Sequence, residues 1–237
     1  MRIITGTSGF AYKEWKGGFY PAELPASGML RYYAERLNGV EINNTFYRMP
    51  RPDVLAQWAA DVPADFTFVL KASQQITHRK RLKDVGEPVS YFLRTAAVLG
   101  DRLGPTLVQL PPNMKKDVAR LDAFLDVVPP GARIAVEFRH ASWFDDDVYA
   151  SLHAHAAALC LAEADDLVTP RIATASWGYL RLRRVVYDEP ALDDWAGWAR
   201  AQAWSDTFTF FKHEDAGTGP RLAARFADLL REQAGNR

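Results

Sequence analysis

At 237 residues the chain is about the size of one α/β barrel, which takes roughly 250 residues, so a single domain over 1–237 is expected. Hydrophobic residues at 48% and charged residues at 24%, with 15 Gly and 14 Pro, exclude a disordered, collagenous or low-complexity chain. The 29 Lys plus Arg balance 29 Asp plus Glu, so any attraction to nucleic acid or an anionic membrane needs a local patch.

Short β-type runs alternate with helix-period segments along the whole chain, as βα units around a parallel sheet require. The first run, IITGT at 3–7, precedes a stripe of Leu30, Tyr33, Ala34 and Leu37 on one helix face. GVEIN at 39–43, FTFVLKA at 66–72 and TLVQL at 106–110 follow, and Val118, Leu121, Leu125 and Val128 form the next stripe. After RIAVEF at 133–138, Asp145, Asp146 and Asp147 mark a helix start, where carboxylates complement the positive end of the dipole. Between ALCLAE at 158–163 and GYLRLR at 178–183, the segment ADDLVTPRIATASW contains Pro170 and lacks room for a full helix, which predicts a loop or short turn. TFTFFK at 207–212 is the eighth run, and Leu222, Phe226, Leu229 and Leu230 after Pro220 form the closing helix. Several runs are apolar at successive positions, as strands buried on both faces are. The expected fold is a TIM-type (β/α)8 barrel with a reduced or missing sixth helix. No internal repeat or linker stands out.

The lone Cys160 has no partner for an internal disulfide, and MRIITGTSGF carries neither a secretory apolar region nor a small-residue cleavage site. No apolar run approaches the ~20 residues needed to cross a bilayer. A soluble cytoplasmic protein without a membrane partner is expected. Cys160 lies in an apolar run and reads as inert core. Oligomeric state is not encoded in any readable pattern.

Barrel enzymes assemble their sites at the carboxyl ends of strands and in the loops that follow. That rule selects Thr7 and Ser8; Glu41, Asn43 and Asn44; Lys71; Gln109; Glu137, Arg139 and His140; Glu163 and Asp165; Arg181 and Arg183; and Lys212, His213, Glu214 and Asp215. Strand side chains alternate between the interior and the helices, so about half of these point away from a common site. Glu41 and Asn43 share a face and suit a substrate hydroxyl, a water or an oxygen-bound metal; the competing reading pairs Glu41 with an inner-layer Lys or Arg. Glu137 and Arg139 share a face too, with His140 opening the loop. Together they suit anion binding and proton movement, against an inner-barrel ion pair with His140 capping a turn. The stretch 71–83 holds Lys71, Arg79, Lys80, Arg81 and Lys83 without an acid, a candidate patch for phosphate or nucleic acid or else a solvated face. The amides of Gly217, Thr218 and Gly219 at a helix start offer a further phosphate site, although GTGP matches no phosphate fingerprint. A divalent metal held by Glu41, Glu137, His140, Glu163, Asp165 and His213 is an alternative that no spacing motif supports. No motif requires a cofactor.

The strings GTSGFAYKEWKGGFYP, VEINNTFYR, KASQQITH, GPTLVQLPP and VEFRHASWF, in this order, resemble the YecE-like family, also called domain of unknown function 72. The resemblance runs nearly end to end and implies a TIM-type barrel, often with a reduced sixth helix, and no reaction. Carried over position by position, it implies Thr7, Ser8, Glu41, Asn43, Asn44, Lys71, His78, Gln109, Glu137, Arg139 and His140 as site residues without roles. Two segments depart from it. A Tyr-x-Arg-x-His-Gly type segment stands here as YLRLRRV, and a Tyr-Phe-Asn-Asn type end as FFKHED, so Arg183, Lys212 and His213 make this pocket more cationic.

The functional expectation is an acid/base enzyme of hydrolase or isomerase type with a small anionic, phosphorylated and hydroxyl-rich ligand. Glu41 or Glu137 is its general base and His140 or His213 its acid. Arg139, Arg183 and Lys71 hold the anion, with Thr7, Ser8, Asn43, Asn44, His78, Gln109 and Lys212 as further ligand contacts. The alternatives are a non-catalytic barrel that binds nucleic acid or protein through the basic loop 71–83, and a metal-dependent phosphoesterase.

Overall fold

The structure, a computed structural model, describes residues 1–164, 167–213, 215 and 217–232. Its strands in chain order are β1 (Arg2–Ser8), β2 (Gly39–Ile42), β3 (Thr67–Lys71), β4 (Leu103–Gln109), β5 (Ile134–Glu137), β6 (Ala158–Ala164), β7 (Leu167–Val168), β8 (Trp177–Leu182) and β9 (Asp206–Phe211). All but β7 pair in parallel with both neighbours. β1 joins β9 with Thr7 beside Phe211, and β5 joins β6 with Val136 beside Leu159, so eight strands close into a barrel.

Helices α1 (Met29–Ala34), α2 (Pro52–Asp61), α3 (Gly86–Ala96), α4 (Val118–Leu125) and α5 (Asp146–Ala154) follow β1 to β5, and α6 (Glu189–Ala201) and α7 (Thr218–Glu232) follow β8 and β9. Each strand expected from the sequence is present. The largest boundary difference is in β4, which begins at Leu103 rather than 106. Pro105 has no N–H to donate, and the pairing with β3 shifts register between Phe68 and Leu70, a bulge that accommodates it.

Among the described residues the sixth crossover has no helix. β7 folds back antiparallel on β6, with Glu163 opposite Val168. Two threonines then tie the returning chain to that strand. Thr169 N donates to Ala162 O at 2.9 Å, and Thr174 Oγ1 donates to Ala157 O and accepts from Leu159 N, both at 2.8 Å. These bonds satisfy backbone groups of β6 and of the returning chain.

Leu30, Tyr33, Ala34 and Leu37 are all buried, although α1 itself ends at Ala34. Leu222, Phe226, Leu229 and Leu230 of α7 are buried likewise, and Asp145 caps α5 by accepting from Asp147 N. One apolar layer lies between strands and helices. A second fills the barrel with Ile4, Val69, Leu107, Cys160, Phe208 and Phe210, so the interior is a plug rather than a pore. Gly39 is required where β2 passes Ile4: an added Cβ would stand 2.4 Å from Ile4 Cγ2. Among the described residues no helix is long and apolar enough to cross a membrane.

Candidate functional site

Residues two apart on a strand share its face, and the inward positions at the carboxyl ends carry charge above the apolar plug. At the centre is Glu41 of β2. Its Oε1 accepts from Ser8 Oγ at 2.7 Å, Arg181 Nη2 at 2.7 Å and Asn43 Nδ2 at 3.1 Å; its Oε2 accepts from the Tyr179 hydroxyl at 2.7 Å and Arg181 Nε at 2.9 Å. Burial alone would push this carboxyl up. The Arg181 charge and the hydrogen bonds from Arg181, Tyr179 and Ser8 outweigh burial and hold it at about 2. Tyr179, buried against that carboxylate, has its hydroxyl pKa driven well above the ordinary value and stays a donor.

Arg181 also reaches the second carboxylate, with Nη1 at 2.5 Å from Glu137 Oε2. Burial opposes the ionised form of Glu137, and Arg181, Arg139 and Arg183 prevail to lower its pKa. Its other oxygen is held differently. Arg139 Nε lies 2.5 Å from Glu137 Oε1 as an ion pair, but the N–H is not aimed at the oxygen, so neither atom makes a hydrogen bond. The attraction is Coulombic and the directional capacity of both groups is unspent.

Arg183 continues the same face beyond β8. Its Nε is buried without a hydrogen-bond partner, and no described carboxylate lies within ion-pair distance of it. Burial and the neighbouring Arg181 and Arg139 charges lower its pKa and outweigh the pull of Glu137 and Glu41. Lys71 completes this rim. Its ammonium donates to Gln109 Oε1 at 2.9 Å and sits 4.5 Å from the centre of the Phe46 ring. Burial, Arg181 and Arg139 lower its pKa to about 8 against the pull of Glu137 and Glu41. Among the described residues three guanidinium groups thus face two carboxylates, one positive charge in excess before Lys71 is counted.

The remaining candidates divide. His78 meets the Phe46 ring edge-on at 4.8 Å, with Nδ1 2.9 Å from Thr77 Oγ1; burial and the Lys71 and Arg81 charges lower its pKa. His140 Nδ1 accepts from Ser142 N at 3.2 Å and caps the turn at 141–143, so its proton belongs on Nε2. Thr7 faces outward, its Oγ1 2.9 Å from the Tyr33 hydroxyl and 2.6 Å from Gly9 O. Asn44 is exposed at the start of a turn, and Lys212 is exposed past β9. His213 is buried outside the charged layer, with Nε2 2.7 Å from Arg184 O and its ring against Tyr187. Glu163 faces α6 and accepts from Trp195 Nε1 at 2.9 Å. Thr7, His213 and Glu163 therefore stand apart from Glu41 and Glu137, because Thr7 and Glu163 point to the helix side of their strands and His213 lies in the loop past β9. Asp165 and Glu214 lie outside the described residues.

Among the described residues no three His, Cys, Asp or Glu side chains converge as a ligand set, which leaves the metal reading without a site there. In the basic loop, Lys80 Nζ donates to Asp84 O and Arg81 Nη2 to Asn113 Oδ1. At the start of α7, Thr218 Oγ1 donates to Asp215 Oδ2, so an acid already stands beside those amides. A cleft of about 500 Å³ lined by Val128, Pro130, Arg133 and Trp177 opens at the amino-terminal end, remote from this chemistry.

Arg181 is the residue whose importance the sequence understated. It shares a face with Arg183 two positions on, and a match of two inward carboxylates to an inward guanidinium would have marked it. Tyr179, two positions earlier, carries the same signal. Phe46 had none beyond its place in the loop after β2.

Fold and site together define a TIM-type barrel with a buried ionic layer and a cationic rim at the strand carboxyl ends. The chain belongs to the family described as "Protein of unknown function DUF72", whose family model matches residues 4–237. A stretch of 116 residues is 34% identical to the UPF0759 protein YecE of Escherichia coli K12, covering 48% of this chain and 43% of YecE. The matched part is thus less than half of that relative's length. A DUF72 family protein of Thermotoga maritima superimposes with a TM-score of 0.87 at 28% identity, over 98% of this chain and 100% of that one. A second, from Enterococcus faecalis, gives 0.74 at 19% identity over 98% and 97%, a likeness of fold.

Proposed function

We propose that the carboxyl-terminal mouth of the barrel binds a small anionic, hydroxyl-bearing ligand of the phosphate class and acts on it by acid/base chemistry of hydrolase or isomerase type. The observation that carries this reading is the excess of buried positive charge at the rim, above all the unpartnered Nε of Arg183. An uncompensated buried charge is costly, by several kcal/mol for an ion that has lost its water. An anion seated between Arg139, Arg183 and Lys71 relieves that cost and receives charge-assisted hydrogen bonds.

The two carboxylates take different roles. Glu41, with both oxygens occupied, holds Arg181 in place. Glu137 is ionised at neutral pH and keeps Oε1 without a hydrogen bond, so it is the general base of this reading. His140, whose Nε2 bears the proton, is the acid. His213 is committed to the Arg184 carbonyl and leaves the mechanism.

Titration of inorganic phosphate at low ionic strength, followed by 31P NMR, tests the reading on wild type, Arg183→Ala and Glu137→Gln. Losing a charge-assisted bond worth about 1.5–3 kcal/mol weakens binding by about tenfold or more in Arg183→Ala. Removing a negative neighbour leaves binding unchanged or tighter in Glu137→Gln. Equal affinity in wild type and Arg183→Ala, or no binding by wild type, defeats the proposal.

A further inference from the structure

We propose that Lys71 is a nucleophile that forms an imine with the substrate, which makes the ligand of this site an aldehyde or ketone carrying an anionic group. The inference rests on the anion-binding reading above and assigns Lys71 a different task within it.

Most lysines near carboxylates are ion-paired and fully protonated. Lys71 is placed otherwise. Its Nζ stands at the carboxyl end of β3, half-buried, with one neutral acceptor, Gln109 Oε1, at 2.9 Å and an aromatic face, Phe46, at 4.5 Å. No described carboxylate lies within ion-pair distance of it: Glu137 is engaged by Arg181 and Arg139, and Glu41 by Arg181. Burial and the Arg181 and Arg139 guanidinium groups disfavour its charged form and outweigh the more distant Glu137 and Glu41 carboxylates. A buried amine among fixed cations is a recognised way to obtain a free amine near neutral pH. The same cations attract an anionic carbonyl compound to that amine.

The step balances without an oxidant or reductant. The Nζ lone pair adds to the carbonyl carbon, the C=O electron pair moves to oxygen, and a proton passes from nitrogen to that oxygen to give a carbinolamine. The hydroxyl then takes a proton from solvent and leaves as water while nitrogen forms the C=N bond. The product is a protonated imine, reached from amine, carbonyl and one proton. His78, edge-on to the same Phe46 ring, is the titratable side chain beside this exchange, and its lowered pKa keeps the ring neutral and able to relay a proton. A protonated imine acidifies the adjacent C–H bond, which suits an isomerase more than a hydrolase.

Reductive trapping on the intact protein tests this with defined probes. At pH 7 a lysine of pKa about 8 holds roughly 300-fold more free amine than an ordinary lysine. Lower basicity takes back part of that advantage. Formaldehyde with cyanoborohydride should modify Lys71 at least about tenfold faster than exposed Lys13 or Lys115, read by peptide mapping, with half-maximal rate near pH 8. Pyridoxal 5′-phosphate with borohydride should label Lys71 faster than uncharged pyridoxal does, and inorganic phosphate should protect it. Lys71→Arg, which keeps the charge, should abolish the fast adduct in intact mass.

If Lys71 reacts with formaldehyde no faster than Lys13, the imine role is refuted, while phosphate titration still decides the anion site separately. If Lys71 reacts fast with formaldehyde but shows no preference for the phosphorylated aldehyde, the amine stands and the anionic substrate class is overturned. Peptide mapping of wild type carries the decision even where Lys71→Arg folds poorly.

Discussion

The charged layer at the mouth of the barrel has two unlike halves. Around Glu41, every oxygen has its donors: Ser8, Asn43, Tyr179 and both faces of Arg181. Around Arg139 and Arg183, two buried Nε atoms lack hydrogen-bond partners, and among the described residues positive charge exceeds negative. Residue types alone do not separate them, since both mix acids and arginines on adjacent strands. Satisfaction separates them. A saturated ionic cluster specifies geometry, whereas an unsatisfied one stores binding capacity at a cost in stability.

The largest effect is expected from breaking the saturated half. Arg181→Met leaves Glu41 and Glu137 buried without their shared cation and should destabilise the fold by about 3–5 kcal/mol in urea unfolding at pH 7. A loss under about 1 kcal/mol would mean that the cluster is solvated and the division between the halves is unreal. In that variant stability should recover on acidification, because the stranded carboxylates become neutral.

In the intact protein the pH dependence runs the other way. Glu41 has a folded pKa of about 2 against 4.5 for the free group, so its contribution is complete above pH 4.5 and is lost as pH falls toward 2. The shift corresponds to about 3 kcal/mol, to be read from urea midpoints across that window. Lys71 gives the mirror case at the rim. Its pKa is depressed from 10.5 to about 8, so the unfolded chain binds the extra proton and stability rises between pH 8 and 10.5. Lys71→Met should flatten that rise, and a rise of equal size in the variant would assign it to another group.

A smaller effect sharpens the contrast within the saturated half. Tyr179→Phe removes one donor to a buried carboxylate that keeps four others, and should cost about 1.5–3 kcal/mol with phosphate binding unchanged. Weaker phosphate binding in this variant would show that the halves are coupled rather than separate.

Much of the fold was legible because parallel strands buried on both faces leave short apolar runs at regular spacing. The absent sixth helix was legible from Pro170 and the lack of room for a full helix between ALCLAE and GYLRLR. Site residues were legible only up to a choice of face. Thr7 and Ser8 were both candidates, and alternation admits one: Ser8 turns to Glu41 and Thr7 to Tyr33. The pairing of Arg181 with Glu41 spans 140 positions, and closure of the barrel, not any local pattern, brings them together. His213 was misleading for a related reason, since it lies two residues past β9 and turns to the Arg184 carbonyl.

The most direct test of the division is urea unfolding of wild type and Arg183→Ala in chloride and in phosphate at matched ionic strength. Phosphate should stabilise wild type, because a ligand that binds only the folded state adds to its stability, and should leave Arg183→Ala unchanged. In chloride the variant should be at least as stable as wild type, since it has lost a half-buried cation crowded by Arg181 and Arg139. A variant less stable than wild type in chloride, with the same response to phosphate, would make Arg183 a structural residue and contradict the account.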